Sequence, residues 1–275
     1  MSAAGSGSDL GPLGLPQVRL VLAVSLDGRL APSEGGAAQL GGAGDRRALE
    51  EALAWADGCL IGAETLRLHG STCLIRQADL LEHRRLEGRS PQPWALAVSR
   101  SGRFDPELPF FRQPLRRGLV APANPGSSPP EGFDRLWALP PDGSQAEPAP
   151  DLVLALGGEG HDRGPPQGGK WQGSPAAISQ DPRVASGWSA LLAEWAAGGM
   201  ERLVLLGGAQ LAASLLALDL VDSLQLTLVP RLLGGAHSWL PIAPLPAPGR
   251  WELEESRPLG EGELLVRYCR SGSRP

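Results

Sequence analysis

Apolar and polar residues alternate through QVRLVLAV, residues 17–24, with valines at Val18, Val21 and Val24; a period of two predicts a strand. SLDG follows as a turn. In DRRALEEALAWA, 45–56, Leu49, Leu53 and Ala56 recur on a helical period, and DGCLIG, 57–62, is a short apolar strand. AETLRLHG and IRQADLLEHRRLEG read as helical segments, the second heavily charged. PWALAV (93–98), RGLVA (117–121) and RLWAL (135–139) predict three more strands joined by connections rich in proline and glycine. WSALLAEWAAGG, 188–199, places Leu191, Leu192 and Trp195 on one helical face and closes on glycine. ERLVLL is a strand and AQLAASLLAL a helix. In DSLQLTLVP, 222–230, Leu224, Leu226 and Leu228 alternate strictly, and GELLVRYC, 262–269, is the last strand.

Strands that alternate with helices predict an α/β protein with a mixed, mostly parallel central sheet and helices on both faces. The last two strands lack an obvious helix between them, which predicts an antiparallel C-terminal edge. No internal repeat is present, so a single domain is expected over 17–270. It is flanked by a flexible tail at 1–16 and a short tail at 271–275. Within it, 157–187 carries seven glycines and four prolines between Gly157 and Pro182. Such a segment buries too little apolar area to offset its ordering entropy and is expected to be an insertion.

The net charge of −5 and pI near 5.5 argue against nucleic acid or an anionic membrane as partner. The chain contains no run of about 18 apolar residues and opens on MSAAGSGSDLGPLGLP, which lacks the features of a signal peptide. Cys59, Cys73 and Cys269 form no C-x-x-C pair, and the four histidines are scattered. This predicts a cytoplasmic protein without disulfides or a metal site. The H-x-E and P-C-x-x-C signature of zinc deaminases is absent.

Three glycine pairs raise the question of chemistry. LVLLGGAQLAASLL, 203–216, runs strand, Gly207–Gly208, helix. That order brings unpaired first-turn N–H groups and a helix dipole to one point, with no Cβ in the way of a phosphate. LVLALGG, at 152–158, leads into prolines, and Gly234–Gly235 precedes no helix. By spacing alone, a plain turn and a phosphate cradle both remain open for Gly207–Gly208.

Four stretches taken together carry a family likeness: LAVSLDGRLA (22–31), ADGCLIGAETLR (56–67), LLGGAQLAASLLALDLVDSLQLTLVPRLLGG (205–235) and GELLVRYC (262–269). Over roughly 17–120 and 188–269 the chain resembles the pyrimidine reductases of riboflavin biosynthesis, the reductase domain of the bifunctional deaminase–reductase. The resemblance implies a dihydrofolate reductase-like fold, a homodimer and an NADPH-dependent oxidoreductase. The reaction it implies is reduction of a 5-amino-6-(5-phosphoribosylamino)uracil-type pyrimidine to its ribitylamino form, by hydride transfer to the opened ribose. Gly62, Ala63 and Thr65, with Gly207, Gly208 and Ala209, are implied to receive the cofactor. Ser99, Arg100 and Ser101 stand where such folds hold a 2′-phosphate, and offer hydroxyls and a guanidinium suited to it. On the substrate side the likeness points to Ser25, Asp27, Arg29 and Arg76.

For Asp27, a role in orienting substrate or handling a proton stands beside that of an aspartate capping its own turn. Arg29 and Arg76 also read as solvated surface arginines, and Glu64 and Arg67 as helix-surface residues. The chain departs from the family on the substrate side. Leu206 replaces a usual glutamate, HGSTCL (69–74) replaces D-x-P-x-L, and the loop after SLDG is rich in glycine. A reductase of the same fold acting on another small heterocycle or carbonyl, and a nucleotide-binding protein with little catalysis, are the alternatives.

Overall fold

In the computed structural model, the residues described are 14–36, 40–122, 127–138, 187–240 and 250–271. The expected tail before residue 14, the insertion as far as residue 186, the glycine pair at 157–158 and the segment 241–249 lie outside them.

The elements follow in order β1 (Gln17–Ser25), α1 (Ala43–Trp55), β2 (Gly58–Gly62), α2 (Ala63–His69), α3 (Ala78–Leu86), β3 (Trp94–Val98), β4 (Arg117–Ala121) and β5 (Arg135–Ala138). Then come α4 (Gly187–Ala197), β6 (Arg202–Leu205), α5 (Ala209–Ala217), β7 (Ser223–Val229), β8 (Trp251–Gly260) and β9 (Glu263–Arg270). Among the described residues the strands form one sheet in the order β5-β4-β3-β2-β6-β1-β7-β9-β8. Neighbours are parallel from β5 to β7, whereas β9 runs antiparallel to both β7 and β8. The mixed sheet and its antiparallel edge agree with expectation.

Strand alternation sorts side chains onto two packed faces. Leu20, Leu60, Leu96 and Leu203 point to one side, where Trp188, Leu192 and Trp195 of α4 and Leu215 of α5 cover them. Val21 and Val204 point to the other, against Ala52 of α1. Farther along that second face, Ile61, Ala97 and Leu119 meet Leu66 of α2 and Phe110. Helices therefore lie on both faces.

The C-terminal end of α1 is stabilised from outside, because its last turn holds no basic residue. Arg84 of α3 is buried and donates to the carbonyls of Leu53, Ala54 and Ala56, and to Ser90. Arg89 adds bonds to Ala54 and Trp55 and an ion pair with Asp57 at 2.6 Å. Two guanidinium groups thus satisfy carbonyls that a helix leaves unpaired. No helix among the described residues is long and apolar enough to cross a membrane.

Among the described residues, β8 is the one strand that the apolar pattern does not predict. Its sequence, WELEESRPLG, has no buried residue, because it forms the outer edge of the sheet. Only Trp251, at its start, packs against the core, so little imposes the alternation that marks β1 or β7. Its glutamates and Pro258 also discourage further strand pairing at that edge.

Candidate functional site

The strand order places a switch point between β2, β6 and β1. The chain moves outward from β1 through β2 to β5, then returns to insert β6 between β1 and β2. Connections leaving such strands diverge at their C-terminal ends and open a crevice there. Gly62 ends β2 and Gly207–Gly208 follows β6, so the two glycine segments face each other across adjacent parallel strands. The Gly62 N–H donates to the Gly207 carbonyl at 2.9 Å. Gly207 has φ +88°, a region where a Cβ is strained, and the Gly207–Gly208 peptide is cis.

Space at this point is tight. A Cβ on Gly62 would lie 3.3 Å from the Gly208 nitrogen, and one on Gly208 would lie 2.7 Å from Thr65 Oγ1. Gly62 is the N-cap of α2 and Gly208 the N-cap of α5, and neither helix has a side-chain cap. First-turn N–H groups of both helices therefore converge, with the Thr65 hydroxyl beside them, on one crevice wall. Gly62, Ala63, Thr65, Gly207, Gly208 and Ala209 come together in this way.

β3 adjoins β2 with Val98 opposite Gly62, so Ser99, Arg100 and Ser101 begin one strand away from the glycines. Ser99 is buried, and its Oγ accepts the Gly102 N–H at 3.0 Å. Arg100 and Ser101 are exposed. Arg67 joins this loop to α2: its guanidinium donates to the Arg103 carbonyl at 2.7 Å and to Ser101 Oγ at 3.4 Å, over the ring of Phe104. Arg67, expected on a helix surface, is exposed there. Its bracing role was hidden because the partner loop lies 34 to 36 residues away.

On the other side of β6, Ser25 and Asp27 close β1. Asp27 Oδ1 accepts the Ser25 hydroxyl at 2.6 Å and the Leu233 N–H at 3.1 Å, and Oδ2 accepts the Gly234 N–H at 2.7 Å. These bonds, led by that from Ser25, hold the Asp27 carboxyl down to a pKa of about 2. At neutral pH it is a carboxylate that accepts hydrogen bonds and has no proton to donate. The Arg29 Nε lies 3.8 Å from Asp27 Oδ2. Arg29 and Ser238 form an isolated antiparallel bridge, and Trp239 stacks against Gly28, so 231–239 folds back over the end of β1. The third glycine pair thus has a part in the site after all, through its Gly234 N–H.

Arg76 is exposed just before α3, and its backbone N–H donates to buried Glu50. No described contact joins it to the Asp27 cluster. Leu206 turns under α1, where it packs beside Val21 and Ala52 and beside Leu53, Cys59 and Ile75. Cys73, from the HGSTCL segment, borders the same group. The two places where the sequence departs most from its expected pattern therefore meet in one apolar region.

The chain matches the family model of the RibD C-terminal domain over residues 16–125 and 178–265. Among solved structures it is similar to a pyrimidine reductase-like protein of Corynebacterium diphtheriae, at 18% identity and a TM-score of 0.65, over 93% of this chain and 92% of that one. It is also similar to a Thermotoga maritima diaminohydroxyphosphoribosylaminopyrimidine deaminase/5-amino-6-(5-phosphoribosylamino)uracil reductase, at 16% identity and a TM-score of 0.62. That match covers 94% of this chain and only 57% of the longer protein. The riboflavin biosynthesis reductase Rib7 of Saccharomyces cerevisiae aligns at 15% identity and a TM-score of 0.57, over 94% of this chain and 91% of that one. At these identities the structural likeness speaks for the fold. No curated protein sequence matches the chain. With a family match that spans most of its length and a mixed, mostly parallel sheet of the expected kind, the chain belongs to the family of the RibD C-terminal domain.

Proposed function

We propose that the protein is an NADPH-dependent pyrimidine reductase that converts a 5-amino-6-(5-phosphoribosylamino)uracil-type substrate to its ribitylamino form. The observation that carries this reading is the meeting of Gly62 and Gly207–Gly208 at the C-terminal ends of adjacent parallel strands, where each segment starts a helix that has no side-chain cap. Bare backbone beside two uncapped helix starts suits a dinucleotide pyrophosphate. Ala63, Thr65 and Ala209 complete that wall, and Ser99, Arg100 and Ser101 supply hydroxyls and a cation for a 2′-phosphate. The cofactor, when bound, would supply the hydride.

The chain's own part is to hold two anionic ligands side by side and to exclude water. Asp27 serves as an anchor: its ionised carboxylate ties the 231–234 backbone to the end of β1, and so shapes the substrate side with Ser25 and Arg29. Arg76 is placed for a substrate phosphate only if the segment before α3 turns toward the crevice.

The test is thermal stability with each nicotinamide cofactor. NADPH is expected to raise Tm clearly more than NADH at equal concentration, through linkage to binding. Arg100→Ala is expected to narrow that difference. Equal shifts with both cofactors would remove the 2′-phosphate assignment, and no shift with either would remove the cofactor site.

A further inference from the structure

Arg67 stands in the last turn of α2, in the stretch AETLRLH. Leu66 beside it is buried, so the helix turns Arg67 outward, toward the loop that follows β3. A cation near a helix C-terminus is favourable by itself, and that alone would account for an arginine here. Its side-chain contacts go further.

Arg67 Nη2 donates to the Arg103 carbonyl at 2.7 Å and to Ser101 Oγ at 3.4 Å, and the guanidinium carbon lies 5.2 Å from the centre of the Phe104 ring. That ring is fixed in turn by Phe133, at 5.5 Å between centroids, and by Phe111, at 6.5 Å. Phe133 packs on buried Phe110. The guanidinium therefore rests on a platform joined to the core, and little side-chain freedom remains to be lost when a ligand arrives. These bonds use only Nη2. The N–H groups of Nε and Nη1 have no protein partner among the described residues, and the side chain is exposed.

Ser101 is set by the same contacts. Its Oγ accepts the Arg103 N–H at 3.3 Å as well as the bond from Arg67, so both lone pairs are occupied and the hydroxyl proton is left to donate. A group met by these donors must accept on every side. A phosphate monoester does so, whereas a ribose hydroxyl would also need an acceptor. Of the acids nearby, Glu107 pairs with Arg112 at 2.6 Å, and Asp105 Oδ1 accepts the Glu107 N–H at 2.9 Å. Among the described residues, neither Asp105 nor Glu64, one turn earlier on α2, forms an ion pair with Arg67. Arg100 and Arg103, both exposed, add positive charge on the facing loop.

Along α2, Arg67 lies roughly 7.5 Å beyond the N-cap Gly62. A ribose separates the pyrophosphate of a dinucleotide from its 2′-phosphate by a similar span. We propose that Arg67 is a specificity-determining residue for NADPH, which grips the 2′-phosphate through Nε and Nη1 and turns the Ser101 hydroxyl outward as a second donor. This role rests on the cofactor reading proposed above, and it makes the choice of cofactor depend on α2 as well as on the loop after β3.

Calorimetric titration of the full chain with NADPH, NADH, adenosine 2′,5′-bisphosphate and adenosine 5′-monophosphate tests it. Arg67→Met keeps an apolar stem over Phe104. It is expected to weaken NADPH and the bisphosphate about tenfold, and to change NADH and the monophosphate by less than about twofold. Arg67→Lys keeps the charge without the planar fork and is expected to recover only part of that loss. An unchanged ratio of NADPH to NADH affinity in Arg67→Met overturns the proposal. Equal weakening of both cofactors also overturns it, because Arg67 would then only brace the loop. Full recovery in Arg67→Lys, which still reaches the Arg103 carbonyl, has the same meaning. A wild type that binds NADPH and NADH alike removes the 2′-phosphate assignment of Ser99, Arg100 and Ser101 as well. A wild-type preference for NADPH that survives in Arg67→Met removes the role of Arg67 alone.

Discussion

Asp27 accepts hydrogen bonds from Ser25, Leu233 and Gly234, and its carboxyl is held at about 2, below the ordinary aspartate range. The unfolded chain therefore takes up this proton at a higher pH than the folded one. The stabilisation is complete above the ordinary aspartate value and is lost as pH falls from there through about 2. Amide exchange is expected to show Leu233 and Gly234 losing protection in that window, and Asp27→Asn to show reduced protection already at neutral pH. Protection that ignores both changes would remove the anchoring role. At Gly208, where φ is −61°, alanine is compatible with the backbone but would press on Thr65 Oγ1 at 2.7 Å. Gly208→Ala is expected to fold normally and to weaken NADPH about tenfold or more in calorimetric titration. The thiols obey burial in the same way: Cys59 is pushed up to about 12 and Cys73 to about 11. Alkylation at pH 8 is expected to reach half-exposed Cys269 first and to leave Cys59 unmodified until the protein unfolds.

Among the elements, α1 depends most on residues outside itself. Its final carbonyls are held by Arg84 and Arg89, from α3 and the turn after it. Arg84→Leu would leave several buried carbonyls without a donor. Denaturant titration is expected to show a loss of about 3 kcal/mol, at the upper end for unsatisfied buried groups. A loss below about 0.5 kcal/mol would mean that water replaces the guanidinium. This arrangement also shows where sequence reasoning stops. Strands packed on both faces or on one, such as β1, β2 and β7, announce themselves by apolar runs or alternation. Edge strand β8 does not, because its residues are selected by solvent and by cross-strand charge pairs such as Arg267 with Glu255. Likewise, nothing near Arg84 in the sequence says that its partners end a helix some 30 residues earlier.

Across the molecule, the strand, glycine pair and helix at 203–216 were legible because they are contiguous in sequence, whereas Gly62 beside them followed only from the family resemblance. The parts of the site built from distant segments were not legible. Arg67 bracing 101–103, and Asp27 gripping 233–234, depend on loops that meet only after the sheet has formed. The same holds for Leu206, whose place in an apolar cluster follows from α1 lying across β6. The most direct measurement of the central claim is incubation with NADPH deuterated at the transferable nicotinamide C4 position and the ribosylaminouracil phosphate, followed by mass spectrometry of the product. The expected result is consumption of NADPH with one deuterium in the ribityl chain. NADPH left unoxidised, in protein shown by thermal shift to bind it, would contradict the pyrimidine reductase assignment.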